Sequence, residues 1–169
     1  MLIGVEGPDR AGKTTLLKPL AAALGAKLVT RPPTPKELFE SWHLVEPVYL
    51  HLLRQLHEPD RLYVTDRSMT CSGLVYSKVF GRPVGFDASE WIEHEFLVYV
   101  DTPIDVLKLR WTEEKGERVF PLEMYEAVVA RYERVLKLYR HVRVDGTASV
   151  AANVNHAVAA LREARAIRA

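Results

Sequence analysis

The sequence predicts an α/β fold: a parallel sheet of five short strands covered by helices on both faces. Three observations predict it. Short apolar runs alternate with longer stretches of helical periodicity along the 169 residues. The short runs are continuously apolar, which is how strands buried on both faces read. Polar residues gather just after those runs, at Gly7–Thr14, Arg31, Asp66-Arg67 and Asp101, where a parallel sheet places its ligand side.

Taken in order, Leu2–Val5 is the first buried strand and Thr14–Leu24 a helix stopped by Gly25. Lys27–Thr30 is the second strand. Thr34-Pro35-Lys36-Glu37 combines a capping box with proline at the first helical position, so a helix starts there, kinked or divided at Pro47. Leu62–Thr65 is the third strand and ends at Asp66-Arg67, with a helix following to about Phe80. Asp87-Ala88-Ser89-Glu90 marks another helix start. Leu97–Val100 is the fourth strand, after which Thr102-Pro103 caps a helix to about Trp111. Leu122, Tyr125, Val129, Tyr132, Leu136 and Tyr139 recur at helical spacing. Val142–Val144 is the fifth strand, and Val150, Val154, Val158 and Leu161 form one stripe of a last helix.

Composition narrows the function class. A single domain of this length with 48% hydrophobic residues buries a full core. The net charge of +1 provides no global field for nucleic acid or an anionic membrane, so any anion site is built locally. Cys71 is the only cysteine, which fits a reduced, cytoplasmic setting. The apolar start at Met1–Val5 is too short for a signal peptide, and no run approaches the roughly 20 residues of a membrane helix. The six histidines have no metal-ligand spacing.

Gly7-Pro8-Asp9-Arg10-Ala11-Gly12-Lys13-Thr14 satisfies G-x-x-x-x-G-K-[ST] in full, between a predicted strand and a predicted helix. Gly7 and Gly12 permit backbone angles that turn successive N–H groups inward around anionic oxygens. Lys13 reaches the β- and γ-phosphates and the Thr14 hydroxyl ligates Mg²⁺. Arg10 is placed to act as an arginine finger in cis. Asp9, an acid beside a phosphate site, needs a partner, either a ribose hydroxyl or the turn itself. The guanine-reading Asn-Lys-x-Asp of GTPases is absent, as is an apolar strand ending in Asp-Glu. Instead Asp66 can hold Mg²⁺ or its waters, and Arg67 can clamp an acceptor phosphate.

These segments resemble the thymidylate kinase family of P-loop kinases. Val5–Thr15 is similar to the family's P-loop, and Asp66-Arg67-Ser68-Met69-Thr70-Cys71-Ser72-Gly73 to its Asp-Arg-Tyr-x-x-Ser-Gly segment. Arg110 with Lys115-Gly116-Glu117-Arg118 resembles the LID, and Val144-Asp145-Gly146-Thr147 the last strand and adenine-side loop. The resemblance implies a three-layer α/β/α P-loop NTPase fold, strand order 2-3-1-4-5, with a short LID at about 110–121. It implies an ATP site of Gly7, Pro8, Asp9, Arg10, Ala11, Gly12, Lys13, Thr14 and Thr15 closed by Arg110 and Arg118. It places Asp9 at a deoxyribose 3′-hydroxyl, and Arg67 assisted by Arg31 on an acceptor phosphate, with Ser72 on the acceptor side. Two family features differ: Val119-Phe120 replaces Tyr-Glu, and the Phe-x-x-x-Arg base clamp has Tyr49, His51 and Arg54 as its nearest substitutes. Ser72-Gly73-Leu74-Val75-Tyr76 also resembles deoxynucleoside kinases.

Chemistry separates the two acceptors. A nucleoside kinase deprotonates a 5′-hydroxyl and needs a general base near it; the resemblance to deoxynucleoside kinases implies a carboxylate just after the second strand for that role. A monophosphate is already an anionic nucleophile and needs positive charge. Arg31-Pro32-Pro33 follows the second strand here, while Glu37 and Glu46 come later. The expectation is therefore a deoxynucleoside monophosphate kinase, most simply dTMP kinase, using ATP and Mg²⁺. A deoxynucleoside kinase is the alternative, and a non-catalytic nucleotide-binding switch the third reading. No nucleic-acid or membrane partner is expected; a homodimer interface is open to the tyrosine stripe or the Trp91 region.

Overall fold

A computed structural model of the protein describes residues 1–30, 58, 61–81, 94–113 and 123–166. The expected helix starts at 34 and 87, together with Arg31, Tyr49, Arg54 and Arg118, lie outside the described residues.

Five strands form one parallel sheet: β1 (Leu2–Glu6), β2 (Lys27–Val29), β3 (Tyr63–Asp66), β4 (Phe96–Asp101) and β5 (His141–Asp145), in the order β2-β3-β1-β4-β5. β1 is central and buried throughout, which is why Leu2-Ile3-Gly4-Val5 carries no alternation. Its register pairs Val5 with Asp66 on one side and Val98 on the other, so the tips of β1, β3 and β4 align.

The helices are α1 (Lys13–Leu24), α2 (Met69–Phe80), α3 (Ile104–Glu113), α4 (Glu123–Val135) and α5 (Val150–Ala166). The path from β1 to β2 runs one way across the sheet, and the path from β3 through β4 to β5 runs the other. Right-handed crossovers then place α1 and α2 on opposite faces. In agreement, α1 packs on α5, while α2 packs on α4. The reversal leaves a crevice at the carboxyl end of β1, the usual ligand position in such sheets. Among the described residues no helix is long and apolar enough to cross a membrane.

Three elements differ from the sequence pattern. The tyrosine stripe is not one helix: α4 ends at Val135, a 3₁₀ turn covers Leu136–Leu138, and Tyr139 is extended. On α5 the buried line is Asn153, Ala157 and Leu161, with Val154 and Val158 only half-buried, because a small residue lets α5 seat closely and the polar Asn153 finds a partner. Thr102 donates its hydroxyl to the Ala11 carbonyl (3.0 Å), while the first turn of α3 begins with the Pro103 carbonyl accepting from the Leu107 N–H (3.0 Å).

That Thr102 bond joins a tight brace around Gly146. A Cβ built on Gly146 would lie 1.8 Å from Thr102 Oγ1 and 2.9 Å from the Ala11 carbonyl oxygen. Gly146→Ala is therefore expected to destabilise by about 1–3 kcal/mol through overpacking. Thermal unfolding followed by circular dichroism checks it; a Tm lower by several degrees is the expected result.

Candidate functional site

The loop between β1 and α1 is shaped by two glycines that no other residue replaces cheaply. Gly7 has φ 144°, and a Cβ there would sit 2.8 Å from the Val100 carbonyl oxygen. Gly12, at the N-cap of α1, has φ 105°. Lys13 opens α1 and is 7% exposed; its Nζ donates to the carbonyls of Gly7 (2.9 Å) and Pro8 (2.6 Å). Thr14 and Thr15 follow on the exposed side of the first turn. Burial, and secondly the Arg67 charge, pull the Lys13 ammonium from its ordinary 10.5 down to about 8; Asp9, Asp66 and Glu6 push the other way. Asp66 at the tip of β3 is thus within the field of Lys13 and is half-buried.

Arg67 is the hub of the site. It is 7% exposed, and its backbone has φ 71°. Its Nη2 forms an ion pair with Asp9 Oδ1, and its Nη1 donates to the Gly7 carbonyl (3.1 Å) and the Tyr132 hydroxyl (3.0 Å). The guanidinium also lies 5.1 Å from the centre of the Tyr76 ring and 3.8 Å from Glu6 Oε2. Asp9, which needed a partner, therefore finds Arg67, so the two residues expected at the acceptor are one ion pair in this structure.

Beneath Arg67 lies a carboxylate the motif search passed over. Glu6, the last residue of β1, is fully buried and accepts from the Ser68 N–H (2.7 Å), the Ser72 hydroxyl (3.0 Å) and the Tyr132 hydroxyl (2.9 Å). Burial pushes its carboxyl above the ordinary value, against the Arg67 charge and these donors. Ser72, expected on the acceptor side, is buried with its hydroxyl turned to Glu6. The signal for Glu6 was present: an acid ending an otherwise apolar buried strand has to be paired.

Arg10 is the second non-glycine residue at positive φ, 66°. Its Nη1 donates to the Arg110 carbonyl (3.3 Å), while Arg110 Nη1 donates to the Arg10 carbonyl (3.0 Å) and Nη2 to the Gly146 carbonyl (2.9 Å). Arg110 on α3 thus ties the phosphate loop to the loop after β5, a role its spacing could not reveal. Positive φ at two arginines of one site stores about 1–3 kcal/mol each, a feature that concentrates at functional sites.

An open cleft of ≈ 580 Å³ runs from this loop to the segment that follows β5 and the start of α5. Arg10–Leu16, Val100 and Arg110 line one part, and Gly146, Thr147, Ala148, Val150 and Asn153 the other. Its dimensions and one cationic end suit a nucleotide with its phosphates on the loop. Among the described residues no three His, Cys, Asp or Glu side chains gather as a metal cage. Thr14 and Asp66 are hard oxygen donors, which fit a Mg²⁺ held by few protein ligands alongside phosphate oxygens.

No family model matches the chain, and no curated protein matches it significantly. Solved structures do. Deoxyadenosine kinase from M. mycoides with bound dATP superposes with TM-score 0.72 at 15% identity, over 96% of this chain and 100% of that one. The YorR protein of Bacillus subtilis, in complex with phosphorylated GDP, gives 0.66 at 18%, over 96% of each chain. A sugar kinase from Janibacter sp. HTCC2649 gives 0.57 at 15%, over 95% of this chain and 94% of that one. At such identities the likeness establishes the shared fold, the five-stranded parallel sheet in the order β2-β3-β1-β4-β5 with its flanking helices.

The Lys13 environment has a pH consequence. From pH 8 to 10.5 the unfolded chain holds a proton that the folded chain has released, so stability rises with pH across that window; below pH 8 the cost of the buried ammonium is fully present. A triphosphate seated on the loop restores the charge. Its binding at pH 8 is therefore expected to take up about half a proton. Calorimetry in buffers of different ionisation enthalpy measures this uptake, and Lys13→Met is expected to abolish it.

Proposed function

We propose that the protein is an ATP- and Mg²⁺-dependent kinase whose acceptor is a deoxynucleoside monophosphate, in the simplest case dTMP + ATP giving dTDP + ADP. One observation carries this reading: the Arg67 guanidinium reaches the Gly7 carbonyl at 3.1 Å, so the group that would hold an acceptor anion borders the loop that would hold the donor. Two anions brought to this point react by direct in-line transfer, with positioning and charge supplying most of the acceleration.

In this reading the inward amides of Gly7–Thr14 and the start of α1 cradle the donor phosphates. Lys13 exchanges the Gly7 and Pro8 carbonyls for β- and γ-phosphate oxygens. Thr14 and Asp66 hold Mg²⁺ or its waters; when bound, the ion neutralises charge on the β- and γ-oxygens. Arg10, anchored against Arg110, covers the transferring group, and Gly146-Thr147 lies along the base. Arg67 moves from Asp9 to the acceptor phosphate, which frees the Asp9 carboxylate for a sugar hydroxyl. Arg31, Tyr49 and Arg54 on the acceptor and Arg118 on ATP complete the assignment on the resemblance to thymidylate kinases.

A second reading, a deoxynucleoside kinase, has its own support. The solved M. mycoides structures include deoxyadenosine kinase with bound dATP and with the products dCMP and dCDP. Arg67 already has carboxylate partners in Asp9 and Glu6, which a neutral acceptor need not displace. This reading requires a carboxylate base at the 5′-hydroxyl, for which Asp9 in the loop after β1 and Asp66 at the tip of β3 are the candidates beside Lys13.

Incubation with ATP·Mg²⁺ and a panel of nucleosides and monophosphates tests the proposal. Monophosphates, dTMP foremost, are expected to become diphosphates. Reaction of nucleosides alone would replace the proposal with the second reading; ATP binding without any phosphorylated acceptor would leave only a nucleotide-binding switch. Arg10→Gly separates chemistry from folding, because glycine relieves the positive φ while removing the finger. Turnover is expected to fall on the order of 10³-fold, with Tm unchanged or slightly raised.

A further inference from the structure

The far end of the cleft carries a polar group that phosphate binding does not use. Asn153 in α5 is 9% exposed and lines the cleft beside Thr147 and Val150. Its Nδ2 donates to the main-chain carbonyl of Asp145 at 2.7 Å. A carbonyl oxygen only accepts, so this bond fixes the amide: nitrogen toward β5, Oδ1 away from it.

The neighbouring groups are committed inside the fold. The Gly146 N–H donates to the Asp101 carbonyl (2.7 Å), and the Ala148 N–H to the Asp145 carbonyl (3.0 Å). The N–H and hydroxyl of Thr147 both donate to Asp145 Oδ1, at 2.8 and 2.6 Å. The Gly146 carbonyl receives Arg110. Thr147 keeps only the lone pairs of its hydroxyl, whose proton goes to Asp145, and Asn153 Oδ1 is the amide acceptor these bonds leave on this wall of the cleft.

We propose that Asn153 selects the donor base, accepting a hydrogen bond from the exocyclic amine of adenine and disfavouring a base that presents a carbonyl oxygen at that carbon. This rests on reading the cleft as a nucleoside triphosphate site and deepens it. A site with a buried acceptor discriminates against a ligand lacking the matching donor because the acceptor is then left unpaired.

Equilibrium binding of ADP, inosine diphosphate and purine riboside diphosphate, which lacks the 6-amino group, tests the proposal without any acceptor. The wild-type protein is expected to bind ADP about tenfold more tightly than purine riboside diphosphate and to bind inosine diphosphate more weakly still. In Asn153→Ala, ADP binding is expected to weaken about tenfold and the preference to fall within about twofold. Equal binding of ADP and purine riboside diphosphate by the wild-type protein overturns the assignment even if the variant fails to fold. So does an amine preference that survives in a folded Asn153→Ala. Binding of none of the three overturns the donor-site reading itself.

Discussion

The site depends on keeping one charged group, the Arg67 guanidinium, inside the protein. A buried charge left unpaired costs several kcal/mol, so the surrounding residues have to supply both counter-charge and acceptors. Asp9 and Glu6 provide the carboxylates, and the Gly7 carbonyl and Tyr132 hydroxyl provide the oxygens. These partners come from the end of β1, the phosphate loop and α4, while Arg67 itself follows β3. Satisfying one cation therefore locks four parts of the fold in register. It also accounts for Glu6, whose carboxylate would be untenable in the core without the donors from Ser68, Ser72 and Tyr132.

A second brace holds the loop from the other side. Thr102 bonds the Ala11 carbonyl, Arg110 bonds the carbonyls of Arg10 and Gly146, and Gly146 is a glycine because Thr102 occupies the space of a side chain. Tyr125 adds a contact to the Asp9 carbonyl at 3.4 Å. The loop is thus held through its carbonyls at Asp9, Arg10 and Ala11 by side chains from α3, from α4 and from just after β4. Positive φ at Arg10 and Arg67 is tolerated because these contacts over-determine the backbone.

The amino-acid sequence by itself determined the features with short-range causes. The glycine-shaped turn between β1 and α1 was legible because its glycines and Lys13 act within eight residues, and the parallel sheet because strands covered on both faces read as unbroken apolar runs. Asp66-Arg67 was legible as the polar end of such a run. Only the tertiary structure decided which groups meet. Tyr132 and Glu6 are 126 residues apart, Arg110 and Arg10 are 100 apart, and nothing in local spacing announces either contact. The Asp9 carboxylate could satisfy a sugar, a turn or a cation, and only the fold placed Arg67 beside it. The rotation of α5 was undecidable from Val150, Val154 and Val158, because Asn153 can be buried only once Asp145 is there to accept its hydrogen bond.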